Sequence, residues 1–349
     1  MNPEFSVEKI RAAVPALLGW YDVNKRAMAW RDEVSPYRTW ISEIMLQQTR
    51  VETVHGYFER FMEALPDIGA LAAADEETLY KLWEGLGYYS RVRNLKKAAE
   101  IVVKDFGGFL PEDPENLQKL PGIGAYTAGA IASIAYGLPR AAVDGNVVRV
   151  FARFLDIRQD FSDEKGKRAL ARAIEAAMPP DRCGDYTQAL MELGALVCSP
   201  GMPHCAHCPI QSMCAGFAAG SAPSLPILPP KKAKKSVRMS VYDLWDEQGN
   251  RLLHKRPSKG LLAGLWEPWH TEGWLTEAES KEALQPFELL SLAPLGDYTH
   301  IFTHVKWLMR GWRAVVRQVP DGFVRVGPGD QTHALPRAFA ALTEKEEKS

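Results

Sequence analysis

Long apolar runs are missing from this 349-residue chain. None approaches the roughly 18 residues that a bilayer-spanning helix needs, so no membrane association is expected. The opening residues, MNPEFSVEKIRAAV, are charged early and contain no apolar block of the signal-peptide kind, which leads us to expect an intracellular, cytoplasmic protein. A positive net charge is also lacking, with 42 Lys+Arg against 43 Asp+Glu and a formal charge of −1. That balance alone argues neither for nor against a polyanionic partner, and any nucleic-acid site must be a local patch. Residues 1–220 are acidic, with 24 Lys+Arg against 28 Asp+Glu, whereas 221–236 hold four lysines and no acid. Cysteine is scarce: there are five, and four of them fall between positions 198 and 214. In an intracellular chain that clustering favours a metal over disulfides.

What is present divides the chain in three. An apolar content of 46% is enough for more than one core. From 5 to about 215 the signals are helical. WISEIMLQQTRVETVHGYFERFM, ETLYKLWEGLG, RVRNLKKAAEIVVKDFG and EKGKRALARAIEAAM each place apolar residues three and four apart, closed by Gly or Pro. A Pro-, Ala- and Lys-rich stretch reads as a linker over 216–236. Beyond it VRMSVYDLWD, RLLHKR and HIFTHVKWLMRGWRAVV alternate with period two, flanked by helical TEAESKEALQ and PRAFAALTEKE. The expected architecture is an all-α domain over 1–215 joined to a smaller α+β domain over 237–349.

Cys198, Cys205, Cys208 and Cys214 follow C-x6-C-x2-C-x5-C. Four thiolates in one loop can hold a tetrahedral zinc or an iron–sulfur cubane. Zinc sites normally offer two tight pairs, and only Cys205 and Cys208 form one here, so the asymmetry suits one 4Fe–4S cluster better. His204 and His207 read as solvated loop residues and Cys183 as an ordinary small one.

In LPGIGAYTAG, Gly122 and Gly124 offer positive φ and close backbone approach, and the following helix would present free amides to an anion. No Gly-Lys-Ser/Thr follows and no strand precedes, which excludes nucleotide-binding loops. A helix–hairpin–helix gripping a DNA backbone fits better. Asp144, ahead of Gly-Asn, is well placed to cap the helix from Val147. Glu43 shares a helix face with Gln47 and Arg50, by itself a solvated polar stripe.

Together, WISEIMLQQTRVETV, LWEGLGYYSRVRNLKKAA, LPGIGAYTAGAIASIAYG, VDGNVVRV and the four-cysteine loop resemble the helix–hairpin–helix DNA glycosylases with an iron–sulfur cluster. Within them the resemblance is to the MutY type, and it covers most of 20–215. It implies excision of adenine mispaired with 8-oxoguanine or guanine in double-stranded DNA, leaving an abasic site. The protein would act as a monomer at the nucleoid, its protein partners left open. On that resemblance Glu43 is the general acid, which calls for a pKa raised by burial. Asp144 stabilises the cationic sugar and must stay ionised, with Tyr126 and Asn146 orienting it. Gln48 and Tyr88 match residues that wedge into the stack as the base flips out. Trp30, Arg31 and Glu192 match positions around the extruded adenine. Tyr88, Arg91, Arg93, Lys96 and Lys97 supply an aromatic and basic stretch, with Arg91 expected on DNA.

The segment from 237 resembles the MutT-like (Nudix-fold) domain with which this family reads the opposite base. GLWEPWHTEGWLTEAESKEAL lacks the glutamate array that holds Mg2+ in Nudix hydrolases, so recognition without pyrophosphatase chemistry is expected. Phe302-Thr303-His304 matches the family's Phe-Ser-His loop, with threonine for serine; without the resemblance HIFTHVKW reads as a plain core strand. Met28-Ala29 and LWEPW also depart from the family's usual residues. An endonuclease III-like glycosylase/lyase is the nearest rival, but the lysine its Schiff-base chemistry needs would stand where Tyr126 does. A non-catalytic DNA-binding iron–sulfur protein would have no reason to carry both Glu43 and Asp144.

Overall fold

The computed structural model describes residues 5–161, 163–227, 229, 233–327 and 333–342. Two compact units emerge, one of residues 1–73 with 94–230 and one of 74–93 with 231–349. The boundary near 94 falls inside the helix Ser90–Asp105. Part of the Pro/Lys-rich stretch, and the end of PRAFAALTEKE, lie outside the described residues. No described helix is long and apolar enough to cross a membrane.

The first unit is helical, as its three- and four-residue periodicity requires. Helix Val7–Asn24 starts at Ser6, whose side chain accepts from Lys9 N. Its Ile10, Val14, Leu17 and Tyr21 lie on one stripe and enter a core with Leu170, Ile174, Tyr186 and Phe151 from three other helices. WISEIMLQQTRVETVHGYFERFM, read as one helix, is two: Pro36–Leu46 and Val51–Ala64. Gln48 between them has φ +57°, which interrupts the i→i−4 ladder while the apolar spacing continues on either side. Small residues in AGAIASIA allow close packing. A Cβ on Gly129 would overlap the Ala141 carbonyl, and the helix Ala125–Ala130 runs on into a π-turn at Ile131–Ala135.

The second unit is built on a mixed seven-stranded sheet. Its strands are β1 (Lys235–Asp246), β2 (Arg251–Lys255), β3 (Trp266–Glu267), β4 (Trp269–Glu272), β5 (Leu289–Ile301), β6 (Val305–Val316) and β7 (Phe323–Val326). The order is β3-β2-β1-β6-β5, with β4 on β1 and β7 on β2. β1 and β6 run parallel over twelve paired residues, and the other pairs are antiparallel. Alternation puts Met239, Val241, Trp307 and Met309 on one face with Phe339. Tyr242, Leu244, Trp312 and Ala314 face the other side with Leu284 and Phe287. Helix Glu277–Ala283 there starts with a capping box of Thr276 and Glu279. Both faces are therefore covered. HIFTHVKW is not one strand: the chain turns at 302–304, closed by Phe302 N donating to Val305 O at 2.8 Å.

Candidate active site

Helix Pro36–Leu46 begins at Ser35, which accepts from Arg38 N at 3.2 Å, with Pro36 in its first turn. Two turns on, it carries Glu43 inward. Glu43 is 5% exposed, not part of a solvated stripe. Burial raises its pKa to about 7 against the opposing hydrogen bond from Tyr126, with Asp144 raising it further and Arg31 lowering it. Tyr126, one turn into the helix after the glycine turn, donates to Glu43, and burial first, then the two carboxylates, lift its pKa well above the ordinary value. Asp144 caps the helix Gly145–Phe154 and accepts from Asn146 N (2.9 Å), Val147 N (2.8 Å) and Asn146 Nδ2 (2.7 Å). Its pKa is raised by burial, and these bonds and Arg149 oppose the rise.

These four residues line one cleft of about 210 Å3 together with Trp30, Arg31 and Glu192. Trp30 forms a wall against His55 and Phe58, with ring centroids 5.2 and 5.6 Å away. Glu192, 1% exposed, is held by Arg31 at 2.8 Å and by Arg26 at 2.9 Å. Arg26 has no motif around it, and only the fold brings it to Glu192. Arg149 is a second residue that sequence reasoning missed. It donates to Asn146 Oδ1 (3.0 Å), Gly194 O (2.8 Å) and Cys198 O (2.8 Å), joining the Asp144 cap to the cysteine loop. Arg153, one turn on, donates to the Ser199 and Gly201 carbonyls. Two arginines four apart in the otherwise apolar VVRVFARF were the available signal.

The residues expected on DNA separate into exposed and buried sets. Gly122 takes φ +81°, and a Cβ there would sit 2.8 Å from Asn94 Cβ. Gly124 differs from expectation: its φ is −88° and the space around it is open, so it caps the helix in an extended conformation that other residues can adopt. Gln48 in the first unit and Tyr88 in the second are exposed. Both are non-glycine residues held at positive φ, +57° and +48°, a conformation that L residues seldom adopt. Arg91 is a correction. It is 8% exposed, donates to the Leu86 and Gly87 carbonyls at 3.1 Å and lies over the Trp83 and Tyr88 rings. Its guanidinium satisfies the carbonyls of the tight turn and so props Tyr88 instead of facing solvent.

Cys198, Cys205, Cys208 and Cys214 are unbridged and line a single apolar cavity. Burial raises the thiol pKa of Cys208 to about 11 and also lifts Cys205 and Cys214, an environment in which the thiols call for a metal to become thiolates. Among the described residues, the one trio of His, Cys, Asp or Glu ligand atoms mutually within 4.8 Å lies elsewhere. Four thiols sharing one apolar cavity are a donor set that suits a thiolate-bound metal centre. His204 and His207 are exposed, and Cys183 is 2% exposed.

In the second unit Thr303 and His304 are exposed at the tip between β5 and β6. Phe302 anchors the tip on Trp307, centroids 4.8 Å apart. The Thr303 hydroxyl lies 2.6 Å from the Tyr88 hydroxyl, so the expected reading loop and one expected wedge meet.

A family model described as HhH-GPD superfamily base excision DNA repair protein matches residues 41–176, and one described as NUDIX domain matches 241–345. The mouse adenine DNA glycosylase is 36% identical over 363 aligned residues, spanning 87% of this chain and 70% of the mouse protein. The chain belongs to the adenine DNA glycosylase family. Its human adenine DNA glycosylase relative is likewise 36% identical, with 86% of this chain and 66% of that protein aligned. A solved thermostable thymine-DNA glycosylase superposes with a TM-score of 0.56 and 26% identity, covering 62% of this chain and all of the other. The all-α helix–hairpin–helix glycosylase part and the MutT-like α+β part of this adenine glycosylase relative are thus both accounted for.

Proposed function

We propose that this chain excises adenine opposite 8-oxoguanine or guanine by hydrolysis, with no strand-cleaving step. The observation that carries this reading is the pair of carboxyl groups in one cleft, Glu43 buried and Asp144 half-buried, with unequal hydrogen bonding. Glu43 has a pKa of about 7 and is substantially protonated at neutral pH. Asp144 accepts three hydrogen bonds, which favour its charged form. In this mechanism Glu43 donates its proton to the adenine ring and the C1′–N9 bond breaks. Asp144 stabilises the sugar cation, held in place by Asn146. Water then adds to C1′, and the Glu43 carboxylate takes its proton. Tyr126 presents no amine, so a Schiff base with the sugar has no nucleophile at that position.

Trp30 and the Glu192–Arg31 pair offer a flat apolar wall and fixed polar groups for the flipped base. The Gly122 turn serves the DNA backbone, and Gln48 and Tyr88 enter the opened stack. Phe302, Thr303 and His304 read the opposite base. Cys198, Cys205, Cys208 and Cys214 would hold one 4Fe–4S cluster, which supplies a structural brace for a loop beside the Arg149 link.

The test is a duplex with adenine opposite 8-oxoguanine, incubated with the protein and analysed with and without hot alkali. Strand breaks only after alkali are expected. No abasic product, or efficient cleavage without alkali, overturns the proposal.

A further inference from the structure

Away from the cleft, His254, Glu267 and His270 bring their ligand atoms within 4.8 Å of one another. The antiparallel pairing of β2 and β3 sets His254 opposite Glu267, and His270 follows on β4. Glu267 is 2% exposed. His254 Nε2 lies 3.7 Å from Glu267 Oε1, and His270 Nδ1 lies 3.5 Å from Glu267 Oε2. Those separations are too long for good hydrogen bonds, and both imidazole nitrogens are buried without a hydrogen-bond partner. Leaving such groups unsatisfied costs about 1–3 kcal/mol each, so two of them aimed at one carboxylate need an explanation. Ligands that share a tetrahedral ion at about 2.0–2.2 Å stand roughly 3.3–3.6 Å apart, close to the spacing seen.

We propose that His254, Glu267 and His270 form a binding site for a zinc-class divalent metal ion in the sheet unit, with a fourth position open to water. Two imidazoles and one carboxylate favour zinc over magnesium or calcium, which prefer all-oxygen sets. The site is therefore unlike the glutamate array of a pyrophosphatase. The rings are already ordered: His254 stacks on His270 at 6.3 Å and packs edge-on to Phe323 at 5.3 Å. Arg256 pairs with Glu267 Oε2 and helps balance its charge, leaving Oε1 towards His254. A metal here joins β2 to β3 and β4, strands of only two and four residues that have few ladder bonds of their own.

The probe is Zn2+ with the full chain, its cysteine loop unaltered. After equilibrium dialysis, the wild type is expected to retain one zinc per chain more than His270→Ala or Glu267→Gln. Zinc-edge X-ray absorption of the wild type is expected to show two imidazole nitrogens at about 2.0–2.1 Å, a reading that needs no variant to fold. Equal zinc content in wild type and variants, or an all-sulfur spectrum in the wild type, overturns the site.

Discussion

Glu43 in the helical unit and Asp243 in the sheet unit are both buried acids, 5% and 0% exposed, in very different company. Asp243 is gripped by Arg251 at 2.6 Å and Arg313 at 3.2 Å. Asp246, on the same strand, is held by Arg325 at 3.2 Å and by Asn250, and although burial pushes its pKa up, the bonds it accepts leave it lowered. Glu43 faces a cleft, bonded to a neutral tyrosine, with Asp144 near and Arg31 a weaker influence. A buried acid given its own cations becomes a fixed part of the fold. One denied them becomes an acid near neutrality, available for proton transfer.

The largest effect that can break this contrast is on the chemistry. Glu43→Gln should lower the single-turnover rate of adenine release by about 10²–10⁴ while mismatch DNA is still bound; near-normal excision refutes the assignment. Asp144→Asn should lose about 10²–10³ in rate yet keep its melting temperature, because asparagine caps as well as aspartate. A large fall in stability would mean that capping is its main role.

Stability should move in opposite senses at the two buried acids. Breaking the Asp243 pairs with Asp243→Asn should destabilise by about 3–5 kcal/mol, read as a lower unfolding midpoint in denaturant. The Glu43 pKa is raised on folding from 4.5 to about 7, so the native state binds the extra proton between those values and stability falls as pH rises through that window. By about 1.36 kcal/mol per pKa unit, the loss approaches ~3 kcal/mol above pH 7. Glu43→Gln should therefore melt higher than wild type at pH 8 and equally at pH 4.5. Unchanged melting at pH 8 would contradict a raised pKa.

Thr303→Ala carries the smallest effect. Loss of one hydroxyl contact to Tyr88, worth about 0.5–1.5 kcal/mol, should reduce the ratio of excision rates opposite 8-oxoguanine and guanine by about 2- to 10-fold. An unchanged ratio would detach the tip from base reading.

Features fixed by local chemistry were legible in the chain. The Asp144 cap, the positive φ at Gly122, the cysteine spacing and the period-two strands follow from side chains acting on their own neighbours. Basic residues beside aromatics look alike in sequence whether they face DNA or fill a turn, and only the fold sets Arg91 on the Leu86 and Gly87 carbonyls. The break at Gln48 left the apolar periodicity intact, so nothing in the pattern marked it. Phe302–His304 looked like strand because alternation continues through a tight turn.

The residues themselves determined the chemistry on offer: two carboxyls, a phenol and not an amine at Tyr126, four thiols in one loop. Tertiary structure alone decided which groups are used. Glu43 is an acid near neutrality because other helices exclude water from it, and desolvation belongs to the surroundings of a group, not to its sequence neighbours. By the same physics Arg26 and Arg31 reach Glu192 across more than 160 positions, and a β-register brings His254 to Glu267.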